Sequence, residues 1–102
     1  GLGKIEQEHA VSTAETALRD ERLPAVLMGD FNVTPDDPVL APLNALLNGT
    51  DELLAGEFTF PSHKPNIKID YIYTTKNVTP VRAEVIHVVA SDHCPIWADL
   101  EL

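Results

Sequence analysis

The chain has 102 residues, the length of one small domain. Its 16 acidic and 7 basic residues give a formal net charge of −9 at pH 7, which argues against a surface that grips a polyanion without sequence preference, because such surfaces need clustered cations. A single cysteine excludes an intrachain disulfide, and no apolar run approaches the ~20 residues of a membrane-spanning helix. These properties are typical of a soluble protein and leave its compartment undetermined.

The first predicted element is an amphipathic helix from about residue 2 to residue 21. Apolar residues recur there at three- and four-residue spacing, and charged residues can occupy the opposite, solvated side. His9 lies within this helix, and we interpret it as a surface or boundary histidine. A short buried strand follows at residues 24–28, because an apolar run of this length is bounded by helix-ending and turn-forming residues.

The strand ends in the tetrapeptide Gly29-Asp30-Phe31-Asn32, which places two polar side chains where the apolar run stops. In extended geometry Asp30 and Asn32 point to the same side of the strand, and Phe31 points to the other. A carboxylate and a carboxamide at the mouth of a strand can hold a water, a metal ion or a phosphate oxygen. Gly, Asp and Asn are also common turn formers, so a plain turn explains this tetrapeptide equally well.

The next predicted elements are a loop and a short helix. Asp37 is placed to cap a helix that begins at Pro38, and Asn48-Gly49 ends it. Residues 51–54 are predicted to add one further helical turn. We interpret the acidic pairs at 36–37 and 51–52 as caps and solvated faces rather than ligands.

From Phe58 onward the pattern predicts strands. The strongest covers residues 67–73, which are rich in β-branched and aromatic residues, and others are predicted at 58–61, 81–89 and 96–102. Asp70 lies in the middle of the strongest strand, on the predicted face of Lys68 and Ile72. A buried carboxylate without a partner is costly, so we expect Asp70 to have one, and an imidazole would serve.

The loop Ser91-Asp92-His93-Cys94-Pro95 supplies such an imidazole. Adjacent Asp and His side chains point apart in a regular strand but can converge in a loop. Asp92 could bind a divalent metal, because hard cations prefer carboxylate oxygen, and His93 could act as general base or contact a phosphate oxygen. Taken alone, the pair is also typical of a structural turn.

Three motifs, in this order, resemble the second half of the endonuclease/exonuclease/phosphatase superfamily. They are Gly29-Asp30-Phe31-Asn32, then Thr59-Phe60-Pro61 leading to Ile69-Asp70-Tyr71-Ile72, then Ser91-Asp92-His93-Cys94-Pro95. We therefore expect residues 1–102 to form one unit, the C-terminal part of the family's catalytic domain without its N-terminal half. The resemblance implies an α+β fold: half of a four-layer α/β/β/α sandwich, with a mixed sheet and helices on one face.

The resemblance also implies a metal-dependent phosphoesterase, which hydrolyses its substrate by in-line attack of an activated water. Asp30 would orient and deprotonate that water, and Asn32 would hold it or stabilise charge on the phosphoryl oxygens. His93, paired with Asp70, would contact the phosphate and stabilise the transition state. Asp92, with Asp30 and Asn32, would hold a divalent cation, Mg²⁺ or Mn²⁺. Either the histidine or the aspartate could be the general base.

Three upstream features of the family have no counterpart in this sequence: a first strand with an Asn, a strand with the metal-binding Glu, and a central His before the first helix. We therefore expect weak metal binding, and little or no activity for the chain alone. The alternative function is a non-catalytic interaction or structural module that retains the family motifs.

The acidic charge favours a small or lipid-derived phosphoester over bulk DNA as the substrate, although nucleic acid remains an open alternative. Half of a sandwich would leave an apolar sheet face exposed. We expect this face to bind the missing N-terminal half or a second copy of the chain.

Overall fold

Two α-helices, a 3-10 helix and five strands lie within residues 3–102, the part of the chain that a computed structural model describes. The elements are α1 (Lys4–Leu18), β1 (Val26–Asp30), a 3-10 helix (Pro38–Leu40), α2 (Ala41–Leu46), β2 (Asn48–Gly49), β3 (Asp70–Thr74), β4 (Thr79–Val85) and β5 (Ile96–Glu101). The predicted first helix is present, and its predicted start at residue 2 lies outside the described residues. In this part of the chain, no helix combines the length and the apolar character needed to cross a membrane.

The strands form two antiparallel sheets. The larger sheet has the order β1-β3-β2, and the smaller sheet pairs β4 with β5. Helices combined with antiparallel sheets confirm the predicted α+β class. Both neighbours of β3 run opposite to it, so these strands provide no parallel pair, and the mixed character that we expected for the sheet is not formed within the described residues.

The two helices and the larger sheet enclose the main core. Its buried side chains come from α1, the 3-10 helix, α2 and β3, together with loop residues: Val11, Val33, Leu40, Leu43, Leu47, Tyr71 and Tyr73. Leu27 of β1 packs against this cluster, whereas Val26 and Met28 on either side of it are 43% and 69% exposed. The helices therefore cover one face of β1, and its other face carries exposed apolar side chains.

A second, smaller core lies against β4 and β5. Its buried members are Leu54, Ala83, Val85 and Cys94. Cys94 is the free cysteine of the chain and directly follows His93. This packing anchors the loop of residues 91–95, which we call the His93 loop, below the end of the larger sheet.

The predicted strand at 67–73 begins later, at Asp70. Ile67 lies outside the strand and pairs with Phe60 in an isolated bridge. The Nζ atom of Lys68 lies 3.8 Å above the centre of the Tyr71 ring. Lys68 therefore shares a side with Tyr71 and not with Asp70, because the regular alternation of the strand has not yet begun.

Two other predicted boundaries differ for local reasons. β4 ends at Val85, four residues before the predicted end, where it pairs with Ile96, the first residue of β5. Beyond this pair one further backbone hydrogen bond forms, from the N–H of Ile86 to the carbonyl of Pro95 at 2.8 Å. Residues 51–54 form one hydrogen-bonded turn that does not extend into a helix: the N–H of Leu54 donates to the carbonyl of Thr50, four residues earlier, and the N–H of Leu53 donates to the same carbonyl.

Candidate active site

Three side chains from three separate motifs meet at one end of the larger sheet. Asp30 is the last residue of β1, Asp70 is the first residue of β3, and the two are directly opposite in register. His93 reaches them from its loop. Its Nδ1 atom lies 2.8 Å from Oδ2 of Asp70, and its Nε2 atom lies 3.6 Å from Oδ2 of Asp30. The imidazole is therefore held between two carboxylates.

The antiparallel register explains why the two acids meet. Opposite residues in such a pair have Cβ atoms about 4.5–5.5 Å apart on the same face, and like charges there repel each other. An imidazole between Asp30 and Asp70 relieves this repulsion when it is protonated. The predicted partner of Asp70 is thus present, and it contacts Asp30 as well.

The two carboxylates determine the electrostatics of His93. The hydrogen bond with Asp70 raises the pKa of His93, partial burial of the ring opposes this, and the charges of Asp70, Asp30 and Asp92 raise it further. An Nδ1–H group that donates to Asp70 also fixes the tautomer and the orientation of the ring, which leaves Nε2 on the side of Asp30. The ring can accordingly act as a cation or as a donor of a proton towards a bound anion.

The site opens on a cavity of about 360 Å³. Its lining includes Asp30, Asp70 and His93, with the apolar side chains of Met28 and Ile72 beside them. The side chains of the three polar residues are 34%, 17% and 27% exposed, so a small ligand can reach all of them. A cavity with an apolar wall and a few convergent polar groups is typical of a small-molecule site.

Asn32 lies at a sharp turn just after β1. Its φ is 57°, in the left-handed region that Asn tolerates better than most residues. Its N–H donates to Oδ1 of Asp30 at 2.8 Å, and its carbonyl accepts from Nε2 of Gln7 at 3.1 Å. The extended geometry that we expected for residues 30–32 is therefore absent, because the strand ends at Asp30. The tetrapeptide is a turn that also orients the Asp30 carboxylate.

Asp92 and Asn32 are not among the residues that line the cavity within the described chain. Asp92 is exposed, and its backbone carbonyl accepts the N–H of Ser62 at 2.8 Å. Its charge acts on His93 only as one of several contributions that raise the pKa of the ring. The roles of Asp92 and Asn32 as metal ligands stay predictions.

The donor set of the site fits a divalent cation. Asp30, Asp70 and His93 each offer one ligand atom, and these atoms all lie within 4.8 Å of one another. Carboxylate oxygen suits hard cations such as Mg²⁺, and a site that adds an imidazole also suits Mn²⁺ and other transition metals. The site is thus a candidate metal site as well as a candidate acid-base site.

Sequence reasoning assigned no supporting role to two groups that hold these side chains in place. The first is residues 59–62, whose Phe60 ring lies 4.8 Å from the His93 ring, centroid to centroid. The second is Lys68, whose Nζ donates to the carbonyl of Asp70 at 2.8 Å and to Oδ1 of Asp51 at 2.5 Å. The motif Thr59-Phe60-Pro61 could have pointed to the first group, since it precedes the Asp70 motif. Lys68 and Asp51 are 17 residues apart, and no sequence pattern links them.

The α+β fold places an acid-imidazole-acid group at one sheet end, which can support acid-base chemistry centred on one histidine. The sequence model of the Endonuclease/Exonuclease/phosphatase family matches residues 4–93, and the chain belongs to this family. The family assignment from the three motifs is thereby confirmed. No protein among the curated sequences matches this chain significantly.

Solved structures of the family share the fold. An endonuclease/exonuclease/phosphatase from Bacteroides vulgatus is 25% identical and matches with a TM-score of 0.84 over 99% of this chain and 46% of its own length. A mannosyl-6-phosphatase from Bacteroides thetaiotaomicron, at 22% identity, matches with a TM-score of 0.77 over 99% of this chain and 48% of its own. A conserved protein of unknown function from Enterococcus faecalis has the same TM-score, 22% identity, and coverage of 93% and 44%. The chain therefore spans about half the length of the structures that it matches.

Proposed function

We propose that this chain supplies the acid-base half of the active site of a divalent-metal-dependent phosphoesterase. The observation that carries the proposal is the position of His93, with Asp70 at 2.8 Å on one ring nitrogen and Asp30 at 3.6 Å from the other. Membership of a generally hydrolytic family supports the same reaction class. In this reaction, a water attacks phosphorus in line with the leaving oxygen.

We assign the two carboxylates different roles. Asp70 orients His93 and stabilises its positive charge, so the ring stabilises the negative phosphoryl oxygens and can protonate the leaving group. Asp30, which is more exposed and held by the N–H of Asn32, orients the attacking water and accepts its proton. The raised pKa of His93 supports this division, because it favours the protonated ring, and that form cannot accept a proton.

A bound divalent cation, Mg²⁺ or Mn²⁺, would neutralise the charge that develops on the phosphoryl oxygens. In this chain Asp30 would hold the cation, with Asp92 and Asn32 as further ligands, as the resemblance implies. Since Mg²⁺ requires several well-placed oxygens, we expect these residues alone to bind it weakly.

We favour a small phosphoester as the substrate. The cavity of about 360 Å³ suits a small ligand, and the formal charge of −9 is unfavourable for a long polyanion. The related Bacteroides thetaiotaomicron protein is a mannosyl-6-phosphatase, which makes a sugar phosphate a reasonable first probe. A lipid-derived phosphoester and a nucleic acid are the next substrates to test.

The second candidate function is a non-catalytic module. It is favoured by one observation: the chain covers only 46% of the Bacteroides vulgatus structure, so a complete site would need further residues. The two functions can be separated in a chimera in which this chain replaces the matched part of the Bacteroides vulgatus protein.

The test is hydrolysis of bis(p-nitrophenyl) phosphate and mannose 6-phosphate with Mg²⁺ or Mn²⁺, for the chain alone and for the chimera. We expect hydrolysis by the chimera, little by the chain alone, and a decrease of about 10²–10⁴-fold for Asp30→Asn or His93→Gln. Glu52→Gln is the matched control, because Glu52 is exposed and outside the site. A folded chimera without hydrolysis, or one indifferent to Asp30→Asn, would refute the enzyme and favour the non-catalytic module.

A further inference from the structure

Residues 59–62 form a short segment that contacts the neighbours of Asp70 and of His93, the two residues joined by the hydrogen bond at the centre of the site. We propose that residues 59–62 hold the imidazole against Asp70 and that Thr59 is the main positioning residue of the site. An effect of Thr59 on hydrolysis would depend on the proposed function. Its effect on the orientation of the His93 ring does not depend on that function. Thr59 touches neither carboxylate nor imidazole in this arrangement, and it acts through their neighbours.

Thr59 is fully buried and uses three polar groups. Its Oγ1 accepts the N–H of Ile69 at 3.2 Å, one residue before Asp70. Its carbonyl accepts the N–H of Cys94 at 2.7 Å, one residue after His93. Its own N–H donates to the carbonyl of Ile67 at 2.8 Å. A single residue thus joins the start of β3 to the His93 loop.

The hydroxyl of Thr59 accepts a backbone hydrogen bond at a position that precedes β3, which begins at Asp70. The N–H of Ile69 lies just before the strand, and Ile69 is 6% exposed, so water cannot readily replace a lost partner. Thr59 supplies the acceptor at that point. Loss of the hydroxyl would leave a buried donor unpaired, which favours a shift of the chain that carries Asp70.

The other residues of the segment fix the far side of the His93 loop. The ring of Phe60 lies 4.8 Å from the His93 ring. The N–H of Ser62 donates to the carbonyl of Asp92, and its hydroxyl donates to the carbonyl of Ser91. The segment therefore contacts the loop at every residue from 91 to 94.

The test compares Thr59→Val, which keeps the shape and removes the hydroxyl, with Thr59→Ser, which keeps the hydroxyl. Thr74→Val is the matched control: Thr74 is also fully buried, its hydroxyl donates to the carbonyl of Val78 at 2.9 Å, and it lies at the opposite end of β3. The readout is the tautomer of His93, measured by nitrogen-15 NMR of the whole chain at alkaline pH, where the ring is neutral. Thermal unfolding of each variant gives the general loss of stability.

We expect an Nδ1–H tautomer in the wild type, Thr59→Ser and Thr74→Val, and a shift towards the Nε2–H tautomer in Thr59→Val. A Thr59→Val variant with the wild-type tautomer, or a Thr74→Val variant with the same shift, would overturn the proposal. If Thr59→Val does not fold, Ser62→Ala replaces it, with a smaller shift expected and an unchanged tautomer as the contrary result. Because the tautomer is read in the chain itself, an inactive chimera would refute the proposed function and leave this result standing.

Discussion

At the scale of single residues, His93 is defined by the carboxylates on either side of it. Its pKa is raised mainly by the hydrogen bond with Asp70, so the folded chain binds this proton more tightly than the unfolded chain does. The resulting stabilisation is fully present below the ordinary pKa of 6.5 and is lost as the pH rises through the higher pKa of the folded state. The site therefore gives the fold a pH dependence that can be measured without substrate.

We expect the free energy of unfolding to decrease as the pH rises from below 6.5 through the folded-state pKa of His93. Asp70→Asn should reduce this decrease, because a neutral amide stabilises the imidazolium much less than a carboxylate does. Urea unfolding of both proteins across this pH range measures the effect. Equal pH slopes for the wild type and Asp70→Asn would contradict the assigned role of Asp70.

A second residue-scale prediction concerns the buried cation. Burial lowers the pKa of Lys68, and the hydrogen bond with Asp51 opposes this. Asp51→Ala removes the only carboxylate within 4.0 Å of the Lys68 Nζ among the described residues, and we expect a loss of about 1–3 kcal/mol in the free energy of unfolding. Chemical denaturation measures it.

Glu52→Ala is the matched control for Asp51→Ala, because Glu52 is the adjacent acid and is exposed. It should change the free energy of unfolding by no more than about 0.5 kcal/mol. Similar losses for the two variants would show that Asp51 does not stabilise the buried lysine. The sequence predicted caps and solvated faces for this acidic pair. It missed the contact of Asp51 with the buried lysine, because Lys68 lies 17 residues away and no pattern links the two residues.

At the scale of elements, structural features that depend on residues close together in the sequence could be predicted. The capping role of Asp37 is confirmed: its Oδ1 accepts the N–H of Val39 at 2.9 Å, with Pro38 at the first helical position. Asp37→Ala should lower the free energy of unfolding by about 1 kcal/mol, the usual value of a lost N-cap, and Asp37→Asn should retain most of it. Thermal unfolding of the two variants checks this, and equal losses would contradict the capping role.

Features that depend on distant contacts were not predictable in the same way. β4 ends where it pairs with the first residue of β5, and the side chain of Lys68, which precedes β3, turns towards Tyr71. In the site, Asp30, Asp70 and His93 could be identified as candidates from three motifs. Each motif places a polar residue at the end of an apolar run, inside an apolar strand or in a loop. The role of Thr59 was invisible, since its hydroxyl and its carbonyl act on backbone groups 10 and 35 residues further along the chain, respectively.

At the scale of the whole molecule, one face of the larger sheet is incompletely covered. The helices pack on the face of Leu27, while Met28 and Val26 expose 69% and 43% of their surface on the other. The matched structures are about twice as long as this chain. An exposed apolar face of this kind favours association, and the simplest occupant in a solution of the pure chain is a second copy.

We expect the isolated chain to self-associate through this face, with the fraction of dimer rising with concentration. Met28→Ser should weaken the association about tenfold or more, because burial of a methionine side chain stabilises an interface by about 1.5–3 kcal/mol. Ile5→Ser is the matched control: Ile5 is 79% exposed but lies on α1, which packs on the opposite face of the sheet. Sedimentation equilibrium over a wide concentration range separates the outcomes. A monomer at all concentrations, or equal weakening by the two variants, would show that this face is not where the chain associates.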